Sequence, residues 1–471
     1  MNYTIRNESD SIAIEKMISS NNEHILFYWN ELSDIEKDSL VHTIHSIDLE
    51  LVEKYFNVMN DQENNNNSVY TPAQSLSIDE RNTTYKHAGI NALQSGEVAF
   101  LTVAGGQASR LGFEQPKGCF GISPIKKHSL FRIFAEKILF YSNHYKQSFQ
   151  WYIMTSEDNY TDTINFFITH NYFGLKTDNV HFFKQGMLPS LTADGRLILK
   201  NKSTIFMNPD GHGGILTALN KSGLTDSMIE NKIKYLSYFQ VDNPVLNMAD
   251  PYFIGYHILN QSQVTTKVIK KAYPDEKLGT IVKDTVTGTH QIIEYSDMTP
   301  EMMNEKDNSG RIKYLMGSIG IHIFNVNFIK EITKRLPVHC ANKKINGIDF
   351  TVDIPSETSL SATKFETFVF DTIPFAHNAT FFETLRTEEF FPLKNTTGLD
   401  SIETTIEGQI KLYQSWLKDN GFTVNDTAII EISPLFAPDR EFFNNEVNLK
   451  KADIVKVINL SEAADGKIYI N

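Results

Sequence analysis

Two cations, Arg110 and Lys117, follow a glycine turn at Gly105-Gly106, and that arrangement can bind phosphate. The run Val98-Ala99-Phe100-Leu101-Thr102-Val103 is apolar, β-branched and aromatic, and it ends in Ala104-Gly105-Gly106. Such a run reads as a strand buried on both faces, as in a parallel sheet. The glycines let the backbone turn sharply and come close to a ligand. Arg110 and Lys117 follow, in a loop that also holds Pro116. A strand, a glycine turn and two cations together make a cradle for phosphate oxygens. The spacing is neither the dinucleotide fingerprint nor a Walker A loop, because Lys117 is not preceded by G-x-x-x-x-G. Read alone, the stretch is equally an ordinary strand-to-helix turn with two surface cations.

Other residues carry weaker signals. Asp242, in Gln240-Val241-Asp242-Asn243-Pro244, ends a further buried run. A lone carboxylate there suits a Mg²⁺ that keeps most of its waters and bridges substrate phosphates. The bland alternative is a turn cap before Pro244. Gln185, in Gln185-Gly186-Met187-Leu188-Pro189, offers both a donor and an acceptor, which the imide edge of uracil needs. Read alone, a solvent-facing loop glutamine is the better reading. Asn208-Pro209-Asp210-Gly211-His212-Gly213-Gly214 precedes a helical stretch at 215–220, and glycines before a helix supply free N–H donors. His212 is either a ligand contact or a loop-holding histidine, and no partner at metal-site spacing accompanies it. Glu294 closes a strand-like Ile292-Ile293 and either accepts from sugar hydroxyls or is a solvated charge. Lys394 sits in a rigid loop, Pro392-Leu393-Lys394-Asn395.

The elements that must position these residues alternate. Strands are expected at 98–103, 149–154, 180–183 and 235–241, and helices at 128–141 and 162–171. That alternation predicts an α/β fold with a doubly wound sheet and a ligand at the carboxyl ends of the strands. Phe365 to Phe370 reads as a core strand. Residues 61–68, with four consecutive asparagines, read as a loop. Three parts are expected: an N-terminal helical cap over 1–95, a catalytic domain over 96–395 and a small β-rich C-terminal domain over 396–471.

Composition limits the function. The 471 residues carry a formal net charge of −13, which argues against nucleic acid and anionic membranes as partners. Only Cys119 and Cys340 are present, which excludes a disulfide scaffold and a cysteine-rich metal site. With no membrane-length apolar run and no leader-like start, a cytoplasmic location is expected.

The loop Gly105-Gly106-Gln107-Ala108-Ser109-Arg110-Leu111-Gly112, with Pro116-Lys117, resembles the signature of nucleotidyltransferases that make nucleotide sugars. It departs at Ala108, which replaces a glycine and adds a methyl where the nucleotide is to pass, and at Ser109, which replaces threonine. Further blocks, Trp151 to Ser156, Gln185 to Pro189, Ala249-Asp250-Pro251, Glu294-Tyr295-Ser296, Pro392 to Asn395 and Glu431-Ile432-Ser433-Pro434-Leu435, resemble the eukaryotic-type UDP-N-acetylhexosamine pyrophosphorylase family, in family order.

The resemblance implies a Rossmann-like mixed sheet and a uridylyltransferase joining UTP to a hexosamine 1-phosphate, helped by Mg²⁺. It implies that Ala104, Gly105 and Gly106 hold the nucleotide, with Gln185 and Gly211 at uracil. It gives Arg110 and Lys117 to the triphosphate, Asp242 to nucleotide and metal, and Lys394 to the phosphates. Glu294 and Tyr295 would meet the sugar, whose pocket Phe368 and Phe370 would line. His212 and Ser318 stand where the acetylhexosamine branch carries asparagine, and Gly-His-Gly matches glucose-type relatives. N-acetylglucosamine 1-phosphate is the expected substrate, with glucose 1-phosphate or broad specificity as the alternative. From other classes, a nicotinamide-dependent oxidoreductase lacks its fingerprint. A non-catalytic nucleotide-sugar sensor would lose Arg110, Lys117 or Asp242, and all three are present.

Overall fold

The computed structural model describes residues 3–61, 69–333, 335–462 and 466–471. The expected asparagine-rich loop at 61–68 falls, but for its first residue, outside them. The chain divides into two compact units. The first joins 1–67, 185–217 and 334–371, and the second joins 68–184, 218–333 and 372–471. This division does not follow the contiguous segments expected from sequence.

The second unit is built on a ten-stranded mixed sheet. Its strands are β1 (Tyr70–Pro72), β2 (Val98–Val103), β3 (Trp151–Thr155), β4 (Val180–Lys184), β5 (Tyr235–Gln240), β6 (Val264–Lys270), β7 (Thr280–Asp284), β8 (His290–Ile293), β9 (Met316–Asn325) and β10 (Ala379–Glu383). Their order is β1-β7-β9-β5-β2-β3-β4, with β8 on β7 and β6 paired to both β9 and β10. The run β5-β2-β3-β4 is parallel throughout. Parallel strands covered on both faces have no solvent side, which is why β2 and β3 are buried almost end to end. Trp151 still satisfies its indole, donating Nε1–H to Thr102 Oγ1 at 2.7 Å.

Helices cover the sheet. Helix α1 (Thr83–Gln94) is capped by Asn82, whose side chain accepts from Thr84 N and Tyr85 N. Helix α2 (Leu130–Tyr145) starts where Ser129 accepts from Arg132 N, and it buries Phe131, Phe134, Ile138 and Tyr141. Helix α3 (Tyr160–Thr169) buries Phe167. Helix α4 (Pro251–Leu259) is capped by Asp250. It packs on α1 at glycine contacts: a Cβ on Gly89 would lie 1.9 Å from Pro251 O, and one on Gly255 would lie 1.7 Å from Tyr85 O. No larger residue fits at either position.

The C-terminal segment belongs to this same unit. A parallel pair, β11 (Ile429–Ile432) and β12 (Lys467–Ile470), packs with α5 (Ile402–Asp419) and α6 (Arg440–Glu462) around Leu412, Trp416, Ile430 and Phe443. Long-range polar bonds tie it to the loop before α2. Glu431 Oε2 accepts from Lys126 N at 2.8 Å, and Gln409 Nε2 donates to Ile122 O at 3.1 Å.

In the first unit the N-terminal helices share a core with antiparallel strand pairs rather than packing alone. Ile14, Met17, Trp29, Leu40 and Ile44 meet Leu197, Leu199, Ile348 and Phe365. Asn22 Oδ1 accepts from Leu197 N at 2.8 Å, and a ring nitrogen of His24 lies 2.8 Å from Leu197 O. The longest hairpin pairs His339–Asp349 with Ser356–Glu366. The expected strand over 365–370 therefore stops at Glu366, and a 3-10 turn spans Val369–Phe375. The pairing ends there because Phe368 N and Val369 N donate to side chains, Asp371 Oδ2 and His212 Nδ1, not to a neighbouring strand. Among the described residues no helix is long and apolar enough to cross a membrane.

Candidate active site

In the second unit the site grows from the end of β2. Ala104 N donates to Met154 O at 2.8 Å, so the turn begins while still hydrogen-bonded to β3. Asn159, fully buried, donates Nδ2–H to Ala104 O at 3.0 Å and accepts from Ser156 N at 2.9 Å. That amide fixes the turn, and no local pattern in the sequence points to it. Gly106 is exposed, and a Cβ there would meet nothing within 4 Å. Its carbonyl accepts from Lys117 N at 3.1 Å, which folds the loop back on itself. Arg110 is exposed on the short turn Ser109–Leu111, where no ion pair engages it among the described residues. Ala108 departs from expectation. It is 1% exposed and packs with the core.

Lys117 and Asp242 meet. Lys117 Nζ lies 3.5 Å from Asp242 Oδ2, with side chains 17% and 12% exposed. Asp242 follows β5, and Val241 N donates to Val103 O at 3.1 Å, so the β2 and β5 ends stay in register. Lys394 reaches the same place from far along the chain. Leu393 N donates to Asp242 O at 2.9 Å. Gln240, Asp242, Ile319, Phe390, Pro392 and Lys394 line one small cavity. Lys394 Nζ stands 3.4 Å from Asp400 Oδ2, in a pair open enough to exchange partners.

Ser318 lies on β9 and Glu294 follows β8, and both strands pair with β7 in the same sheet. Ser318 N donates to Gly279 O at 2.8 Å, and Ser318 Oγ accepts from Gly320 N at 3.3 Å. Gly320, at φ +70°, lies against the Gln240 side chain, the last residue of β5. Glu294 O accepts from Asp297 N at 3.0 Å, and Tyr295 beside it is 38% exposed.

Among the described residues no group of three or more His, Cys, Asp or Glu could hold a metal ion. A single carboxylate, Asp242, beside Lys117 and Lys394 instead fits a hard cation that keeps its waters and takes oxygens of a bound ligand. A second cavity in this unit, about 710 Å³, is lined by Arg81, Tyr252, Trp416 and Arg440 and holds none of the expected site residues.

The first unit gathers the remaining five. Gln185 Nε2 donates to Gly211 O at 2.7 Å. Gly211 has φ +83°, and a Cβ there would lie 2.3 Å from Thr367 O, so glycine is required twice over. His212 stacks on Phe368 with centroids 5.2 Å apart and leans on Phe370 at 5.6 Å. Its Nδ1 accepts from Val369 N at 3.2 Å, which leaves the proton of the neutral ring on Nε2. Burial pushes its pKa down to about 4, so the ring is neutral. Phe368 is held from its other neighbours too. His339 stacks on it at 4.4 Å, and Asp371 Oδ2 both accepts from Phe368 N at 3.1 Å and lies 2.8 Å from His339 Nε2. His339 and Asp371 carry no sequence signal of their own.

Known proteins match this arrangement along most of the chain. The UTP–glucose-1-phosphate uridylyltransferase family matches residues 48–463. UDP-N-acetylglucosamine diphosphorylase 2 of Arabidopsis thaliana is 32% identical over 452 residues, covering 90% of this chain and 88% of that protein. UDP-N-acetylglucosamine pyrophosphorylase of Saccharomyces cerevisiae is 36% identical over 368 residues, covering 75% of this chain and 76% of its own. The crystal structure of the Trypanosoma brucei uridine diphosphate N-acetylglucosamine pyrophosphorylase shares the fold, with a TM-score of 0.82 at 24% identity and 99% coverage of both chains. With a family match over most of its length and relatives above 30% identity, the chain belongs to the UTP–glucose-1-phosphate uridylyltransferase family of UDP-sugar pyrophosphorylases.

Proposed function

We propose that the enzyme joins UTP to N-acetylglucosamine 1-phosphate, forming UDP-N-acetylglucosamine and releasing pyrophosphate. The observation that carries this is the Lys117–Asp242 pair beside the Ala104-Gly105-Gly106 turn, with Lys394 on the same small cavity. Two relatives that cover three quarters or more of the chain bear the N-acetylglucosamine name.

The chemistry needs few groups. An oxygen of the sugar phosphate forms a bond to the α-phosphorus of UTP as the bond from that phosphorus to the bridging oxygen breaks. The nucleophile is already an anion, so no general base is required. The obstacle is bringing two polyanions together and stabilising an in-line transition state, which takes cations and positioning. In this reading Ala104, Gly105 and Gly106 bring backbone close to the nucleotide, and Arg110 and Lys117 hold its phosphates. Lys394 neutralises charge on the reacting phosphates. Gln185 and Gly211 receive uracil, while His212, Phe368 and Phe370, with Glu294, Tyr295 and Ser318, serve the sugar. Asp242 would hold Mg²⁺, which supplies charge neutralisation across the phosphate oxygens when bound. The two cysteines are unpaired thiols, which fits a reducing compartment such as the cytoplasm.

A second reading, UDP-glucose synthesis, is favoured by His212 in its Gly-His-Gly loop. Pyrophosphate release from UTP, measured with N-acetylglucosamine 1-phosphate, N-acetylgalactosamine 1-phosphate and glucose 1-phosphate in turn, separates the two. Release with none of them overturns both.

A further inference from the structure

Asn243 stands between the two loops that carry Asp242 and Lys394, and it is 5% exposed. Its Nδ2 donates to Glu389 O at 2.6 Å, and its Oδ1 accepts from Phe391 N at 3.3 Å. One side chain therefore stitches the end of β5 to the 389–394 segment at two points. The stitch is anchored below by a buried charge cluster. Lys267, fully buried, donates to Glu389 Oε1 at 2.7 Å and to Oε2 at 2.6 Å, and lies 3.0 Å from Asp250 Oδ2. Glu389 also accepts from Thr384 Oγ1 at 2.6 Å and from Asn247 N at 3.1 Å. Every acceptor of that carboxylate is spoken for, so the backbone at 389 has little freedom to shift.

Beyond the stitch the backbone stays held, since Leu393 N donates to Asp242 O at 2.9 Å and Lys394 N to Asp400 O at 2.7 Å. The side chain is held less: Lys394 Nζ pairs with Asp400, both side chains more than a third exposed, and lies 5.8 Å from the Phe390 ring centroid. Its direction thus depends on the backbone that Asn243, Asp242 and Asp400 hold. We propose that Asn243 is a positioning residue: it sets the backbone of the Lys394 loop against Asp242, so that the lysine meets the reacting phosphates. This rests on the reading that Asp242 and Lys394 serve the transfer. Asn243 touches no substrate in this account and acts through Lys394.

A double-mutant cycle tests it, with pyrophosphate release from UTP and N-acetylglucosamine 1-phosphate as the readout. Asn243→Ala in the otherwise unchanged enzyme should lower kcat by about tenfold or more, since small misplacements of a catalytic group are costly. The KM for UTP should move by less than about threefold, because the glycine turn and Lys117 are untouched. In the Lys394→Ala background the same change should cost less than about twofold, because there is no lysine left to misplace. A loss of equal size in both backgrounds, or no loss in either, overturns the positioning role. Parent-like rates for both Lys394→Ala and Asp242→Asn would instead sink the underlying reading. If Asn243→Ala does not melt cooperatively, Asn243→Ser takes its place in the cycle. Its hydroxyl is too short to make both bonds.

Discussion

Lys117 Nζ lies 3.5 Å from Asp242 Oδ2, so the cation proposed to hold phosphate and the carboxylate proposed to hold metal neutralise each other. The two roles compete for one carboxylate. Asp242→Asn should fold normally and raise the Mg²⁺ concentration needed for half-maximal rate. Lys117→Ala should act oppositely on the metal, lowering that midpoint, while cutting kcat/KM by about 10²-fold through the lost phosphate contact. Mg²⁺ titrations of the two variants, run side by side, check the opposite signs. A shift in the same direction would separate the pair from the metal.

Lys394 and Asp400 form a pair of a different kind. At 3.4 Å and with both side chains more than a third exposed, it contributes little to stability. Lys394→Ala should therefore leave the melting temperature near that of the parent and lower kcat/KM by about 10²-fold. Asp400→Asn should change turnover by less than about threefold, because it removes only the resting partner. If Asp400→Asn is as damaging as Lys394→Ala, the lysine works through that ion pair and not through phosphate.

Burial gives His212 a further, pH-dependent role in stability. Its pKa is about 4 in the folded chain against an ordinary 6.5, because a charged ring is disfavoured against Phe368 and Phe370. Below the ordinary value the unfolded chain takes up a proton that the folded chain refuses. The contribution is thus complete above pH ~6.5 and is lost as pH falls toward ~4. His212→Asn removes this titration. Between pH ~7 and ~5 the parent should lose more melting temperature than the variant. Parallel losses would mean the ring is solvated enough to titrate freely.

Much of the catalytic unit is legible in the sequence because its signals are local. Val98–Val103 announces a buried strand by composition, and Asp242 is marked by the strand before it and Pro244 after it. The cysteines, the charge and the glycine turns all point the same way. What stays hidden is long-range. Asn159 acts on Ala104, and Asn243 acts on Glu389, at separations of 55 and 146 residues. The first unit is hidden for the same reason: 1–67 gains its core only when 185–217 and 334–371 join it. Phe368 and Phe370 read as strand residues by their alternation. The turn they occupy is dictated by Asp371 and His212, the latter more than 150 residues away, at the donor Val369 N. Ala108 is a departure of another kind, since a motif letter says which residue departs but not that it is buried in the core.

In the proposed reading the choice of sugar turns on His212 and Ser318, which the structure holds with an acceptor already engaged. His212 Nδ1 is taken by Val369 N, and Ser318 Oγ by Gly320 N. What His212 has left for a ligand is its Nε2–H, one donor from a ring packed on Phe368. An acetamide offers a carbonyl that such a donor can meet, and glucose offers a hydroxyl there. Discrimination is large only where a buried polar group is left unpaired by the wrong substrate, whereas an empty apolar space rejects weakly. With so few donors at stake, preference for N-acetylglucosamine 1-phosphate over glucose 1-phosphate should be about 10- to 10²-fold in kcat/KM. His212→Asn combined with Ser318→Asn adds amide groups in place of a ring and a hydroxyl, and should widen that ratio in favour of the acetylated sugar. His212→Phe keeps the stack but deletes the donor, and should narrow it. Parallel kcat/KM measurements on both sugars decide the matter: equal or better turnover of glucose 1-phosphate by the unchanged enzyme would reverse the substrate assignment. A ratio indifferent to His212→Phe would instead leave the assignment standing and move discrimination to Glu294 and Tyr295.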